Sequence, residues 1–173
     1  MFFDRDGVLN VDTGYVFRAE DFVWRETAIE SVKWLNDRGI LVFVVTNQSG
    51  VARGYYVEED VRTLHDHMQE ALRGAGAHVD EFRFCPHHPD GTIEAFRLEC
   101  ACRKPRSGMI AELIAKWELT PENCLMFGDR DSDIEAARGA GVPGRLVADD
   151  RPLIELVREA LNGIAQRELP MSL

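Results

Sequence analysis

The chain has 173 residues, 45% of them hydrophobic, with a formal net charge of −10 and an isoelectric point near 5.0. That length suits one domain over 1–173 with a sizeable core and leaves little room for a second. The acidic balance excludes a protein whose main task is gripping the nucleic acid backbone. No apolar run reaches the roughly 20 residues of a membrane-spanning helix, and no basic segment followed by a signal-type apolar stretch opens the chain, so it reads as cytoplasmic with no membrane partner.

In chain order, Phe2 and Phe3 begin a strand that Asp4 ends. Only three residues precede Asp4, which predicts a brief central strand. Asp4-Arg5-Asp6-Gly7 places two carboxylates one residue apart before a glycine, a repulsive pairing unless a cation or a reacting centre lies between them. Ile29, Val32 and Leu35 recur at helical spacing, with Gly39 at the C-cap. "ILVFVVT" (Ile40–Thr46) has the composition of a strand buried on both faces. Val61, Leu64, Met68 and Leu72 mark a second helix ended by Gly74 and Gly76. His65 and His67 fall in a polar stretch of it and are expected to face solvent, while His78 carries no signal. "VDEFRFC" (Val79–Cys85) is a third strand, and Ile110, Leu113, Ile114 and Trp117 mark a third helix. "CLMFGD" (Cys124–Asp129) is a fourth strand, and a helix follows over Ser132–Gly139. "GRLVAD" (144–149) is a short strand before a last helix carrying Leu153, Leu156, Val157, Leu161 and Ile164. "LPMSL" reads as a frayed tail.

This alternation predicts an α/β fold with a doubly wound parallel sheet. Ligands in such sheets bind beyond the carboxyl ends of the strands, where the strand order reverses. The chemically useful residues fall at those ends. Asp4 is placed to act as a nucleophile, with Asp6 curling back over it as acid and base. Thr46 and Asn47 offer a hydroxyl and backbone N–H groups, Lys104 before Pro105 supplies a cation, and "GDRDSD" supplies Asp129 and Asp133. A carboxylate shell for a metal, donors to phosphoryl oxygens and a neutralising lysine are the parts of a phosphoryl-transfer site. Each part alone has a plainer reading, as a solvated turn or a surface lysine; it is the four in order that carry the signal.

Four cysteines stand at 85, 100, 102 and 124. Cys124 lies in an apolar run and reads as core. Cys85-x-His87 and Cys100-x-Cys102 bring together three thiolates and one imidazole, the donor set of a closed structural Zn2+ site, with His88 as the alternative ligand. The competing reading is a set of incidental thiols on a wet loop. A metal there would also fix Arg103 and Lys104, which follow Cys102 directly.

The series D-x-D-G, T-N, K-P, G-D-x-x-x-D, from residue 2 to about 148, resembles the haloacid dehalogenase superfamily of phosphatases. The resemblance implies a two-step reaction. Asp4 attacks phosphorus to give an aspartyl-phosphate; Asp6 protonates the leaving oxygen and then activates water; Thr46, Arg103 and Lys104 assist. It implies Mg2+ held by the carboxylates of Asp4 and Asp129 and the backbone carbonyl of Asp6, with Asp133 in support. Within the superfamily, D-x-D-G with the C-x-H…C-x-C loop is similar to the group containing histidinol-phosphate phosphatases and heptose 1,7-bisphosphate 7-phosphatases. "NVDTGYV", "TNQSGVARG" and the long loop "CPHHPDGTIEAFRLECACRKP" resemble the heptose enzymes.

By that resemblance Asp12, Thr13, Gly14, Tyr15, Thr46, Asn47, Gln48 and Ser49 contact substrate, Arg103 and Lys104 hold phosphate or sugar, and Arg53 and Arg130 add further contacts. Arg130 departs from the heptose group, where lysine is common, and matches the histidinol group; it keeps the charge but not the geometry. A cap domain needs on the order of 50 residues or more, for which the gaps between motifs leave no room. The site is therefore expected to be open, shaped by residues 10–25, 48–57 and the cysteine loop. The expected partner is a small phosphorylated sugar, with no nucleic acid, and the expected state is a monomer. The alternatives are a histidinol-phosphate phosphatase, a nucleic acid end phosphatase and, in a different class, a zinc-stabilised non-catalytic binding module.

Overall fold

Phe2 and Phe3 set the layering of the whole molecule, because successive side chains of a strand point to opposite faces. The computed structural model describes residues 1–147 and 151–167, with side chains through residue 162. Its strands are β1 (Phe2–Phe3), β2 (Phe43–Asn47), β3 (Glu81–Cys85), β4 (Met126–Gly128) and β5 (Gly144–Leu146). Its helices are α1 (Ala28–Asn36), α2 (Glu58–Gly74), α3 (Gly108–Lys116), α4 (Asp131–Gly139) and α5 (Leu153–Arg167). The strands form one parallel sheet in the order β3-β2-β1-β4-β5. The chain winds outward from β1 through β2 to β3, then returns to add β4 and β5 on the other side. The order therefore reverses at β1, which places Asp4 at the switch point.

Phe3, Val44 and Phe127 face one layer, where Val32 and Leu35 of α1, Leu64, Met68 and Leu72 of α2, and Leu153 and Val157 of α5 cover them. Phe2, Phe43, Val45 and Met126 face the other, under Met109, Ile110 and Leu113 of α3 and Ala136 and Ala137 of α4. Cys124 belongs to this second core. Two residues suffice for β1 because it is paired on both sides, Phe2 opposite Phe43 and Met126, and Phe3 opposite Val44 and Phe127. Among the described residues no helix is long and apolar enough to cross a membrane.

Several elements differ from the sequence reading at their ends, each for a hydrogen-bonding reason. β2 starts at Phe43 because the Ile40 N–H closes α1 onto the Leu35 carbonyl past Gly39 (φ 68°), and the Val42 N–H bonds Asp80 Oδ2 at 2.7 Å. β4 starts late because the Cys124 N–H ends a 3-10 turn on the Pro121 carbonyl. Trp117 follows α3 as its C-cap. Ala148, Asp149 and "LPMSL" lie outside the described residues, as does the side chain of Ile164.

His65 does not face solvent. It is buried on the Val61, Leu64, Met68 stripe of α2, four residues after Val61, with its ring stacked on Phe82 at 4.6 Å. Burial pushes its imidazole well below the ordinary range. His67 is exposed.

Candidate active site at the carboxyl edge of the sheet

A cavity of about 500 Å3 opens beyond the carboxyl ends of β1 and β2, with Asp4, Thr46 and Lys104 in its wall. Asp4 leaves β1 with its N–H still held by the Phe127 carbonyl. Its Oδ1 lies 2.7 Å from Lys104 Nζ, which also lies 2.7 Å from Asp133 Oδ1 and donates to the Val45 carbonyl at 2.7 Å. An ammonium has three protons, so this buried lysine is fully committed. Burial alone would pull the Lys104 ammonium down; the two carboxylates outweigh it and hold it above the ordinary lysine range. Burial pushes the Asp4 carboxyl up to about 7, with Lys104 opposing and Asp133 and Asp6 adding to the rise. Asp129 is raised by burial and then by Asp133.

Asp4, Asp129 and Asp133 each bring one oxygen within 4.8 Å of the others. Asp4 and Asp133 share the Lys104 ammonium and Asp129 has Arg130 Nε at 3.6 Å, an excess of negative charge that a divalent cation would cancel. Asp129 Oδ1 is buried with no hydrogen-bond partner, as an oxygen facing a metal would be. Backbone is cleared for this cluster: a Cβ at Gly7 (φ +82°) would run into the Asp129 carboxylate, and one at Gly128 into the Asp133 side chain. Asp133 is also the third residue of α4, and its Oδ2 accepts the Arg130 N–H at 3.1 Å, so one carboxylate caps a helix and anchors Lys104.

The loop carrying Lys104 is gripped from β2. Asn47 donates from Nδ2 to the Lys104 carbonyl and accepts the Lys104 N–H on Oδ1, both at 3.0 Å. Asn47→Ala removes both, and a displacement of about 1 Å in the reacting geometry can cost about 100-fold in rate. That is the fall in kcat expected, measured beside circular dichroism showing a folded protein.

Asp6 lines the same cavity as Asp4, and Arg5, Asn10 and Gln48 hold its carboxylate. Oδ1 accepts from Arg5 Nε and Nη2 at 3.2 and 2.9 Å and from Asn10 Nδ2 at 3.1 Å; Oδ2 accepts from Arg5 Nη2 and Gln48 Nε2, each at 2.9 Å. Arg5 is fully buried and also donates to the Val16 carbonyl. Sequence reasoning missed Arg5 and Asn10; the signal for Arg5 was a guanidinium placed between two carboxylates at a strand end.

Asp12, Gly14, Tyr15, Asn47, Gln48 and Ser49 line the cavity, as do Arg103 and Arg130; Thr13 and Arg53 do not. Arg53 lies instead against the cysteine loop, its Nη2 3.4 Å from His88 Nε2. Arg130 reaches across to Asp12 Oδ2 at 2.8 Å, with its Nε 3.6 Å from Asp129 Oδ2, joining the 10–25 loop to the carboxylate cluster. Tyr56 and Ser132 line the cavity as well and had no distinguishing motif in the sequence.

Beside the cavity, Cys85, His87, Cys100 and Cys102 converge. Cys102 Sγ is 3.2 Å from both Cys85 Sγ and Cys100 Sγ, Cys85 and Cys100 are 3.5 Å apart, and His87 Nδ1 is 3.6 and 3.4 Å from Cys85 and Cys102. A tetrahedron with metal–sulfur arms of about 2.3 Å has edges near 3.8 Å, so the four donors approximate one. All four cysteines are free thiols. Burial pushes the Cys85 and Cys102 thiols up, while at Cys100 burial is outweighed by hydrogen bonds from Cys102 and the Arg103 backbone, which bring it down. His88 is outside the set, its Nδ1 accepting the Asp90 N–H at 3.1 Å. Arg103, next after Cys102, donates to the His87 carbonyl.

The profile of the HAD-hydrolase-like family matches residues 101–160. A D-glycero-beta-D-manno-heptose-1,7-bisphosphate 7-phosphatase of Rhodopseudomonas palustris is 44% identical over 168 residues, 93% of each chain. A D-glycero-alpha-D-manno-heptose-1,7-bisphosphate 7-phosphatase of Burkholderia mallei is 42% identical over 151 residues, covering 87% of this chain and 80% of that one. The crystal structure of a D,D-heptose 1,7-bisphosphate phosphatase from B. bronchiseptica, complexed with magnesium and phosphate, aligns with a TM-score of 0.80 at 27% identity, over 94% of this chain and 98% of that one. The doubly wound sheet, the carboxylate cluster at its switch point and the buried lysine define the class: a phosphatase of the haloacid dehalogenase-like hydrolases, a Mg2+-dependent group. Within it, the chain belongs to the family of heptose 1,7-bisphosphate 7-phosphatases.

Proposed function

We propose that this protein removes the 7-phosphate of D-glycero-D-manno-heptose 1,7-bisphosphate through an aspartyl-phosphate on Asp4. The observation that carries the mechanism is the buried Lys104 ammonium joining Asp4 to Asp133 beside the unpartnered oxygen of Asp129. The sugar is carried over from relatives 36–44% identical.

Asp4 attacks phosphorus as the bond to the leaving oxygen breaks, and Asp6 gives that oxygen its proton. Asp6 then takes a proton from the water that displaces phosphate from Asp4. Lys104 balances the charge of the nucleophile, and the Thr46 hydroxyl and Arg103 hold phosphoryl oxygens. The donor set fits Mg2+, held by Asp4, Asp129 and the Asp6 carbonyl with Asp133 in support; it would neutralise charge on the transferring phosphoryl group. Zn2+ on Cys85, His87, Cys100 and Cys102 is the structural counterpart, supported by the near-tetrahedral donors. Asp12, Thr13, Gly14, Tyr15, Asn47, Gln48, Ser49 and Arg130 are proposed to contact the sugar. Arg53 is proposed as a further contact, and Thr13 and Arg53, which do not line the cavity, are the outlying members. The working unit is proposed to be a single-domain monomer in the cytoplasm, a compartment where free thiols persist.

Arg130, the residue that the histidinol group has where lysine is common in the heptose group, supports histidinol phosphate as the second reading. Side-by-side kcat/KM for the two heptose bisphosphate anomers and histidinol phosphate, in Mg2+, decides. The ratio is a difference in transition-state binding. A preference of about 100-fold or more for one heptose anomer is expected; a preference for histidinol phosphate overturns the sugar and keeps the mechanism.

A further inference from the structure

Tyr56 has no part in the reaction described above, yet it is buried in the cavity wall. Its hydroxyl donates to Gln48 Oε1 at 2.8 Å. Gln48, itself buried, divides the two protons of Nε2 between Asp6 Oδ2 at 2.9 Å and Thr46 Oγ1 at 2.8 Å. The two ends of a primary amide are nearly the same shape and differ in being donor or acceptor. Turned end over end, Gln48 would set its carbonyl oxygen against the Asp6 carboxylate. A hydroxyl donating to Oε1 favours the observed orientation.

Tyr56 is placed firmly enough to do this. Its ring stacks on Phe17 with centroids 4.8 Å apart, and it fills the space in which a Cβ at Gly50 would stand. Burial pushes its phenol up to about 12, so it remains a donor at neutral pH.

We propose that Tyr56 is a positioning residue that, acting through Gln48, orients the Asp6 carboxyl for protonation of the leaving oxygen. This rests on the reading of Asp6 as the proton donor. The role is exerted on a proton transfer and not on substrate affinity, which separates it from mere satisfaction of a buried amide.

The test compares kcat/KM, which ends at phosphoryl transfer to Asp4 and so excludes the later activation of water, for heptose 1,7-bisphosphate, whose leaving oxygen needs a proton, and for 2,4-dinitrophenyl phosphate, whose leaving group departs without one. Tyr56→Phe keeps the ring and removes the hydroxyl. The expected result is a fall of about tenfold in kcat/KM for the sugar phosphate, part of the 10²–10⁴-fold that general acid catalysis supplies. The kcat/KM of the dinitrophenyl ester should stay within about twofold, which also shows that the variant is folded. In a Gln48→Met background the same substitution should have no further effect, because the coupling runs through the amide.

Equal losses in kcat/KM on both substrates, no loss on the sugar phosphate, or full additivity with Gln48→Met would overturn the inference. Asp6→Asn serves as the control. If it fails to distinguish the two substrates, the reading of Asp6 has failed and the role of Tyr56 falls with it. If it distinguishes them and Tyr56→Phe does not, the role of Tyr56 alone is lost.

Discussion

Asp4→Asn is expected to lower kcat/KM for the sugar phosphate by about 10⁴-fold or more, the scale of losing a covalent nucleophile, while leaving a folded protein. An amide can occupy the carboxylate's place beside Lys104 but cannot attack phosphorus. Acid-quenched wild type should carry the mass of one phosphoryl group on the peptide containing Asp4, and the variant none. Equal turnover in both proteins removes Asp4 as the nucleophile. A second consequence concerns stability in metal-free buffer. The Asp4 carboxyl is raised from 3.8 to about 7 in the folded protein. Between those values the folded state holds a proton that the unfolded state has released, so this residue's contribution falls as pH rises from about 4 to about 7. Asp4→Asn should flatten that part of the stability profile, read by urea denaturation across the range.

Replacing Cys100 and Cys102 together by serine should have the largest effect on stability. Purified wild type is expected to contain about one zinc per chain, and the double variant none. Binding at a closed site of this kind has apparent free energies of about 10–16 kcal/mol in small zinc domains, so a drop of several kcal/mol in unfolding free energy is the expected scale. Activity should fall as well, because Lys104 follows Cys102 by two residues and reaches the site from the same loop. The effects then separate cleanly: Asp4→Asn removes turnover and spares the fold, whereas the cysteine pair loosens the loop and loses turnover through it. A zinc-free, fully folded wild type would sink the structural-metal reading.

The doubly wound sheet was legible because its signals are local. A β-branched run of strand length, helical spacing of apolar residues and a glycine where a C-cap falls each depend on neighbours in the chain. The strand-end chemistry was legible for a related reason: Asp4, Thr46, Lys104 and Asp129 stand in short motifs whose order along the chain matches the order in which strands and loops deliver them. The cysteine loop was readable as two close pairs. Their convergence on one point was expected from the donor set, and β3 ending beside the return of residues 100–102 delivers it.

What only the tertiary structure decided are contacts between segments far apart in sequence. Asn47 grips the backbone of Lys104 across 57 residues. Gln48 ties Asp6 to Tyr56 across 42 residues on one side and 8 on the other. Arg53, expected near substrate, turns to His88 because the cysteine loop folds back against it. His65, polar by composition, is buried because α2 presents positions 61, 64, 65 and 68 to the sheet as one stripe. The sequence by itself determined at which strand ends Asp4, Thr46 and Asp129 stand as candidates for phosphoryl chemistry. The fold decided which donor meets which acceptor, because a hydrogen bond is set by distance and direction in space and leaves no period along the chain.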